Sequence, residues 1–392
     1  MRTIGIVTGN RADYGILRPL LRAIGTDPTL SLRLMVTGTH LSPDFGLTVQ
    51  EIEIDGVQID ERIEMVLSSD SPEGIGKSMG LGTIGFAQAF ARVKPDILVV
   101  LGDRFEMHAA AVAALPFKIP LAHLHGGEST EGAFDDALRH ALTKLSHLHF
   151  VATDAYAQRL LQMGEEPWRI TVSGALSLDN VRTMPLLSRE ALEAKIGIPL
   201  NRPPLLVTFH PVTLEHESTD HHINELLKAL KRLDLPIVFT MSNADTKGRF
   251  ITQRIREFVK SCNDARLVDS LGTQAYFSLM AQAAVMVGNS SSGIIEAMTF
   301  GLPVVNIGTR QAGRMRSKNV IDVGYECDAI IHGVRQASAP EMKQSLVGQP
   351  NVYGDGTAAG RILARLKETP INGRLLTKRF PPIARQVAEF VS

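Results

Sequence analysis

Residues 96–124 read DILVVLGDRFEMHAAAVAALPFKIPLAHL, and this stretch decides the fold. Ile97 to Leu101 is a short apolar run of strand type, a Gly-Asp-Arg turn follows, Phe105 to Leu115 has helical spacing, and Pro120 to Leu124 is a second strand-type run. Strand, helix and strand at this interval make a crossover unit, the building block of a parallel α/β sheet. Working outward, the same rhythm holds. Apolar runs recur at Ile4 to Val7, Leu32 to Val36 and Leu148 to Ala152, with helical patterns at Gly15 to Ile24 and Glu73 to Arg92. After Pro185 the rhythm starts again, with runs at Leu205 to Phe209, Ile237 to Met241, Val285 to Val287 and Pro303 to Ile307. Helical patterns at His222 to Leu233 and Phe250 to Cys262 separate them. The prediction is an α/β chain of two Rossmann-like lobes, residues 1–178 and 179–377, with a boundary near Ala175 to Pro185. A C-terminal helix at 378–392, built on Ile383 to Val391, is expected to complete the first lobe. The cleft between the lobes is the default ligand site.

Composition narrows the function. The chain has 392 residues, and Lys plus Arg and Asp plus Glu are both 41, so the net charge is zero and no polyanion or anionic-membrane footprint is present. Nucleic acid and membrane are therefore not expected partners. At 44% hydrophobic and 21% charged residues the chain should be folded throughout. The longest apolar stretches fall short of a membrane span, and Met1-Arg2-Thr3 leads directly into a strand, so the expected location is cytoplasmic. The two cysteines, Cys262 and Cys327, lack metal-binding or CxxC spacing.

Gly80-Leu81-Gly82-Thr83-Ile84-Gly85 matches the GxGxxG dinucleotide pattern, but no strand signal precedes it. It reads better as the interior of a helix, and a nicotinamide cofactor is not predicted. Three other turns carry chemistry. Thr8 to Gly15 runs from the first strand into a helix and presents Arg11 where backbone amides also point outward, a possible phosphate corner. Gly288-Asn289-Ser290-Ser291-Ser292-Gly293 follows an apolar strand and precedes a helical pattern at Ile294 to Phe300, so its hydroxyls and amides suit a diphosphate. Glu296, one turn on, has two oxygens able to accept from the vicinal hydroxyls of a ribose, and Arg310 or Arg314 in the next strand-end loop offers a bidentate clamp.

In the first lobe Asp103 and Arg104 end one strand, and His123-Leu124-His125-Gly126-Gly127-Glu128 ends the next. A helix starting near Asp135 and Asp136 carries Arg139, His140 and Lys144. Ligands of open α/β sheets bind at such strand ends. An ion-pair cluster, a metal site using His123 and His125 on one strand face with Glu128, His147 or His149, and general acid–base chemistry are all readings of this group. The absence of a strong ligand spacing favours the last, with no metal.

The ordered set NRADYG at 10–15, GDRFE at 102–106, HGGE at 125–128, DDALRHALTKLSH at 135–147, HPVT at 210–213, GNSSSG at 288–293, GTRQAGR at 308–314 and YGDG at 353–356 resembles the UDP-N-acetylglucosamine 2-epimerase family, most of all its hydrolysing branch. The resemblance implies a glycosyltransferase-B-like architecture and a cofactor-free, metal-free reaction on a UDP-sugar. UDP is eliminated to leave a glycal, and water adds to give N-acetylmannosamine, as in sialic acid synthesis. It also implies a homodimer or homotetramer. Carried over by position, Asp103, Asp135 and Asp136 with Arg139, and His210 match catalytic positions. Arg11, Ser290, Ser291, Glu296 and Arg310 match UDP contacts, joined by Ser292 of the same loop, and Leu271 meets uracil through its backbone. Many relatives carry a glutamate where this chain has His125, with Glu128 retained three residues on. Alternatives are the same chemistry on UDP-N,N'-diacetylbacillosamine, as in legionaminic acid synthesis, a non-hydrolysing epimerase, and a glycosyltransferase.

Overall fold

The apolar runs form two all-parallel sheets. The first contains β1 (Arg2–Thr8), β2 (Leu30–Thr37), β3 (Glu61–Ile63), β4 (Ile97–Leu101), β5 (Leu121–Leu124), β6 (Leu148–Val151) and β7 (Ile170–Val172), in the order β3-β2-β1-β4-β5-β6-β7. The second contains β8 (Leu205–Thr208), β9 (Ile237–Thr240), β10 (Ala265–Val268), β11 (Val285–Gly288), β12 (Val304–Ile307) and β13 (Val320–Val323), in the order β10-β9-β8-β11-β12-β13. The computed structural model describes all residues but 70, 130–134, 242–247, 269–270 and 381–392. The expected C-terminal helix at 378–392 thus lies almost wholly outside the described residues. The chain divides into two units, one of Met1–Glu128, Ala137–Leu176 and Thr357–Ser392, the other of Ser129–Asp136 and Ser177–Gly356. Residues 357–377, expected with the second lobe, group with the first.

Strand order reverses between β1 and β4 in one sheet and between β8 and β11 in the other. At such a point successive crossovers leave to opposite faces and open a crevice beyond the strand ends, where ligands bind. The register Ile4↔Ile97 through Ile6↔Val99 aligns β1 and β4, so the loops after Thr8 and Leu101 emerge side by side. Val285↔Leu205 through Gly288↔Thr208 does the same for β11 and β8.

Local chemistry sets the flanking helices. Asn10 caps helix Arg11–Thr26 by accepting from Asp13 N–H at 3.0 Å, and the helix buries Tyr14, Leu17, Leu20, Leu21 and Ile24. Burial of each such side chain is worth about 1.5–3 kcal/mol. Helix Pro72–Val93 starts at the cap Ser71 and ends at Lys94 in left-handed conformation. It encloses the GxGxxG match, and a Cβ on Gly82 would stand 2.5 Å from Met65 Cε, so the small residue serves close packing.

The returning segment is fixed in the first unit. Ala358, Ala359, Ile362, Leu366 and Leu375 join the core that holds Leu17, Leu20 and Val99. Arg169, fully buried, donates to the carbonyls of His147 (3.1 Å), Leu375 (2.8 Å), Arg374 (3.0 Å) and Thr377 (2.9 Å), and pairs with Glu166 at 2.7 Å.

Candidate active site

In the first unit β4 ends at Leu101, Gly102 turns the chain with φ of 76°, and Asp103 and Arg104 lead into helix Phe105–Ala114. Arg139, from helix Asp135–Leu145, is only 3% exposed. It ion-pairs with Asp103, donates to the His125 carbonyl at 3.1 Å and stands 3.7 Å from Glu128, itself 2% exposed. His125 Nδ1 lies 2.6 Å from Glu128 Oε1. Four of the predicted residues, Asp103, His125, Glu128 and Arg139, therefore form one cluster at the carboxyl ends of β4 and β5. Two carboxylates thus flank one buried guanidinium, which supplies each with an opposite charge inside the protein. Asp135 and Asp136 occupy the first turn of the same helix.

The shared strand face predicted for His123 and His125 is not found. β5 stops at Leu124, and His125 leaves it with φ of 63°, in the left-handed region. His123 instead points back into the sheet. Its Nε2 donates to the Gly102 carbonyl at 2.7 Å, its Nδ1 accepts from Thr143 at 3.3 Å, and burial drives the imidazole down to about 3. His147 accepts the Leu121 N–H, and His149 pairs with Glu165. Each imidazole thus has separate work, and among the described residues no group of three or more His, Cys, Asp or Glu is arranged to hold a metal ion.

Across the β1/β4 crevice the predicted Arg11 and Arg104 are joined by two acids not singled out from the sequence, Asp13 and Glu106. Arg11 is the exposed first residue of its helix. Asp13 accepts from Asn10 Nδ2 at 2.8 Å, and Arg104 pairs with the buried Glu106 at 3.2 Å. Burial pushes the Asp13 carboxyl up to about 7, opposed by Arg104 and reinforced by Glu106.

In the second unit the organising residue is Asn289, fully buried after β11. Its Oδ1 accepts the His210 N–H at 2.7 Å and its Nδ2 donates to the His210 carbonyl at 2.8 Å, so the side chain completes a two-bond bridge to the β8 end. Its own carbonyl accepts from Gln311 at 2.9 Å and from Arg310 at 3.1 Å. One residue thereby brings His210, the serine loop and Arg310 together. Gly288 permits this approach: with φ of 131°, a Cβ there would lie 1.9 Å from the Thr208 carbonyl oxygen.

Ser290 caps the short helix Ser291–Ile295 by accepting from Ser292 N–H at 3.3 Å. The expected single helix at Ile294 to Phe300 breaks at Glu296 and resumes as a 3-10 turn, Ala297–Phe300. Glu296 is buried, which raises its carboxyl, and its Oε1 accepts from Ser177 at 2.5 Å. Burial lowers His210 well below the usual imidazole range, and Arg310 lowers it further, so a neutral ring faces this loop. Leu271 is buried at the start of helix Gly272–Gln282. Burial raises the phenol of Tyr276, from that helix, against hydrogen bonds with Ser292, Ser290 and Thr208, which makes it a further neighbour of the serine loop.

The sequence model of the family described as UDP-N-acetylglucosamine 2-epimerase matches residues 22–367. The chain is 42% identical over 346 residues to the GDP/UDP-N,N'-diacetylbacillosamine 2-epimerase (hydrolyzing) of Campylobacter jejuni, covering 88% of this chain and 89% of that one. To the UDP-N,N'-diacetylbacillosamine 2-epimerase (hydrolyzing) of Legionella pneumophila it is 39% identical, covering 96% and 99%. Its fold is that of the UDP-GlcNAc 2-epimerase from Neisseria meningitidis solved bound to UDP-GlcNAc, with a TM-score of 0.80 at 20% identity over 94% of this chain and 100% of that one.

Proposed function

We propose, from the premise that this chain belongs to the UDP-N-acetylglucosamine 2-epimerase family, that it is a hydrolysing 2-epimerase of UDP-sugars acting on UDP-N,N'-diacetylbacillosamine. The expectation from sequence put UDP-N-acetylglucosamine first. The names of the Campylobacter and Legionella relatives favour the doubly acetylated sugar instead, and UDP-N-acetylglucosamine is the second reading.

The observation that carries the chemistry is the cluster of Asp103, His125, Glu128 and Arg139. The C2 proton of a sugar is not next to a carbonyl, so it is lost most readily as the C1–phosphate bond breaks and C1 becomes cation-like. Carboxylates stabilise that charge, and a nearby base takes the proton. Asp135, at the start of the Arg139 helix, is a further acid for the return step. In the second unit Ser290, Ser291, Ser292 and Arg310 take the departing diphosphate. Glu296, oriented by Ser177, takes the ribose, Leu271 the uracil, Arg11 a phosphate, and neutral His210 donates or accepts without adding charge. The reading includes a cytoplasmic homodimer or homotetramer, and both cysteines are unpaired, as a reducing compartment would leave them.

Incubation of the purified protein with each UDP-sugar in heavy water, followed by proton NMR, tests this. The expected products are UDP and a free 2-epimeric sugar carrying deuterium at C2. Epimeric sugar still attached to UDP would replace the hydrolysing reading with a non-hydrolysing one.

A further inference from the structure

We infer that the atom that removes the C2 proton is Nε2 of His125, and that Glu128 is its positioning residue. The inference rests on the epimerase reading and decides between two groups that reading leaves equivalent. A carboxylate oxygen only accepts, so the 2.6 Å contact with Glu128 Oε1 puts the proton of a neutral ring on Nδ1 and the lone pair on Nε2. That Nε2 is buried and meets no hydrogen-bond partner among the described residues. An imidazole held by a carboxylate at one nitrogen with the other open is the arrangement of a base awaiting a proton.

The backbone bears this out. A non-glycine residue in the left-handed region is strained, and it persists only where its surroundings enforce it. Here the His125 N–H donates to the Phe150 carbonyl at 2.9 Å and its carbonyl accepts from Arg139. Two residues on, Gly127 has φ of 76° and no room for a Cβ, which would stand 2.7 Å from the Tyr156 carbonyl oxygen. The turn is what swings His125 off the β5 face that His123 follows. The competing carboxylates are engaged: Asp103 by Arg139, and Glu128 by His125. His149 repeats the carboxylate pairing, but it is fully buried and its partner Glu165 is shared with Lys144 and Lys378, whereas the His125 side chain keeps 12% exposure.

In the step assigned, the proton on C2 passes to Nε2, the C2–H electron pair becomes the C1=C2 bond, and the C1–O pair leaves on the β-phosphate of UDP. Returning the proton to the same face would restore the starting configuration. The hydration step therefore uses a different donor: it protonates C2 from the opposite face, water bonds to C1, and the water's proton regenerates the donor.

The two half-reactions separate the roles. In His125→Gln, and in His125→Asn, whose side chain tolerates the left-handed backbone, UDP release from the UDP-sugar is expected to fall about 100-fold or more. Hydration of supplied 2-acetamidoglycal should stay within about threefold of wild type, as should UDP affinity by calorimetry, which reports the fold. Glu128→Gln, which keeps the imidazole but loosens it, should lower kcat about tenfold at unchanged KM. Wild-type UDP release in both His125 variants, or equal loss in both half-reactions, overturns the assignment. If the wild-type protein releases UDP from neither UDP-sugar, the epimerase reading itself falls, and the assignment with it.

Discussion

Replacing Asn289 with alanine tests whether one amide assembles the second-unit site. The substitution removes the acceptor of the His210 N–H and the donor to the His210 carbonyl, in a place where Asn289 is fully buried and His210 6% exposed. Water does not take over, so two buried backbone groups lose their partners, at roughly 1–3 kcal/mol each. With a mid-range loss of about 4 kcal/mol, the melting transition of a unit of this size should move down by roughly 8–16 °C in calorimetry. The Asn289 carbonyl survives, so Gln311 and Arg310 keep their acceptor, but the loop loses its tether to β8. UDP affinity should fall about tenfold, equivalent to about 1.4 kcal/mol. Asn289→Asp is the sharper variant, because it keeps the shape and turns an oxygen toward the His210 carbonyl. Wild-type melting of Asn289→Asp, or a shift below about 2 °C in Asn289→Ala, would refute the bridge.

Acid should destabilise the first unit before the second. Burial holds His40 and His147 at about 4 and His123 at about 3, against 6.5 when unfolded, so stability present above pH 6.5 is lost as pH falls through 4. Trp168, the only tryptophan, with Arg169 at 4.3 Å and Arg374 at 4.7 Å from its ring centroid, reports that loss by fluorescence. Asp13 acts in the opposite sense, because its folded carboxyl is raised from 3.8 to about 7 and costs stability once ionised. Asp13→Asn should therefore be more stable than wild type at pH 8 in urea denaturation, with the gap closing by pH 4. Arg169→Met strands four carbonyls and Glu166, and should cost on the order of 3–5 kcal/mol. Limited proteolysis should then cut near residues 374–377, which stay protected in wild type.

The central strands were legible because helices cover both faces, so Ile97–Leu101 and Leu205–Thr208 are buried at every position and almost wholly apolar. The edge strands β3, β7, β10 and β13 were not, since each is short and half-exposed and its polar residues mask the pattern. The site was legible as loops, because a glycine or hydroxyl run after an apolar strand has few other uses. Its wiring was not. Nothing local announces that His125 turns left-handed, that Asn289 spans to His210, or that Ser177 reaches Glu296 from 119 residues away. Those contacts depend on strand order, which periodicity does not encode.

The discontinuity of the first unit also orders the birth of the protein. Five side chains of its core, from Ala358 to Leu375, leave the ribosome after the entire second unit has been made. At roughly 5–20 residues per second, the sheet carrying Asp103 and Glu128, whose last strand ends at Val172, waits on the order of 10–40 s for the segment that closes it. The second unit can mature first as a self-contained insert, while the first unit of each nascent chain stays exposed to chaperones and proteases until the end.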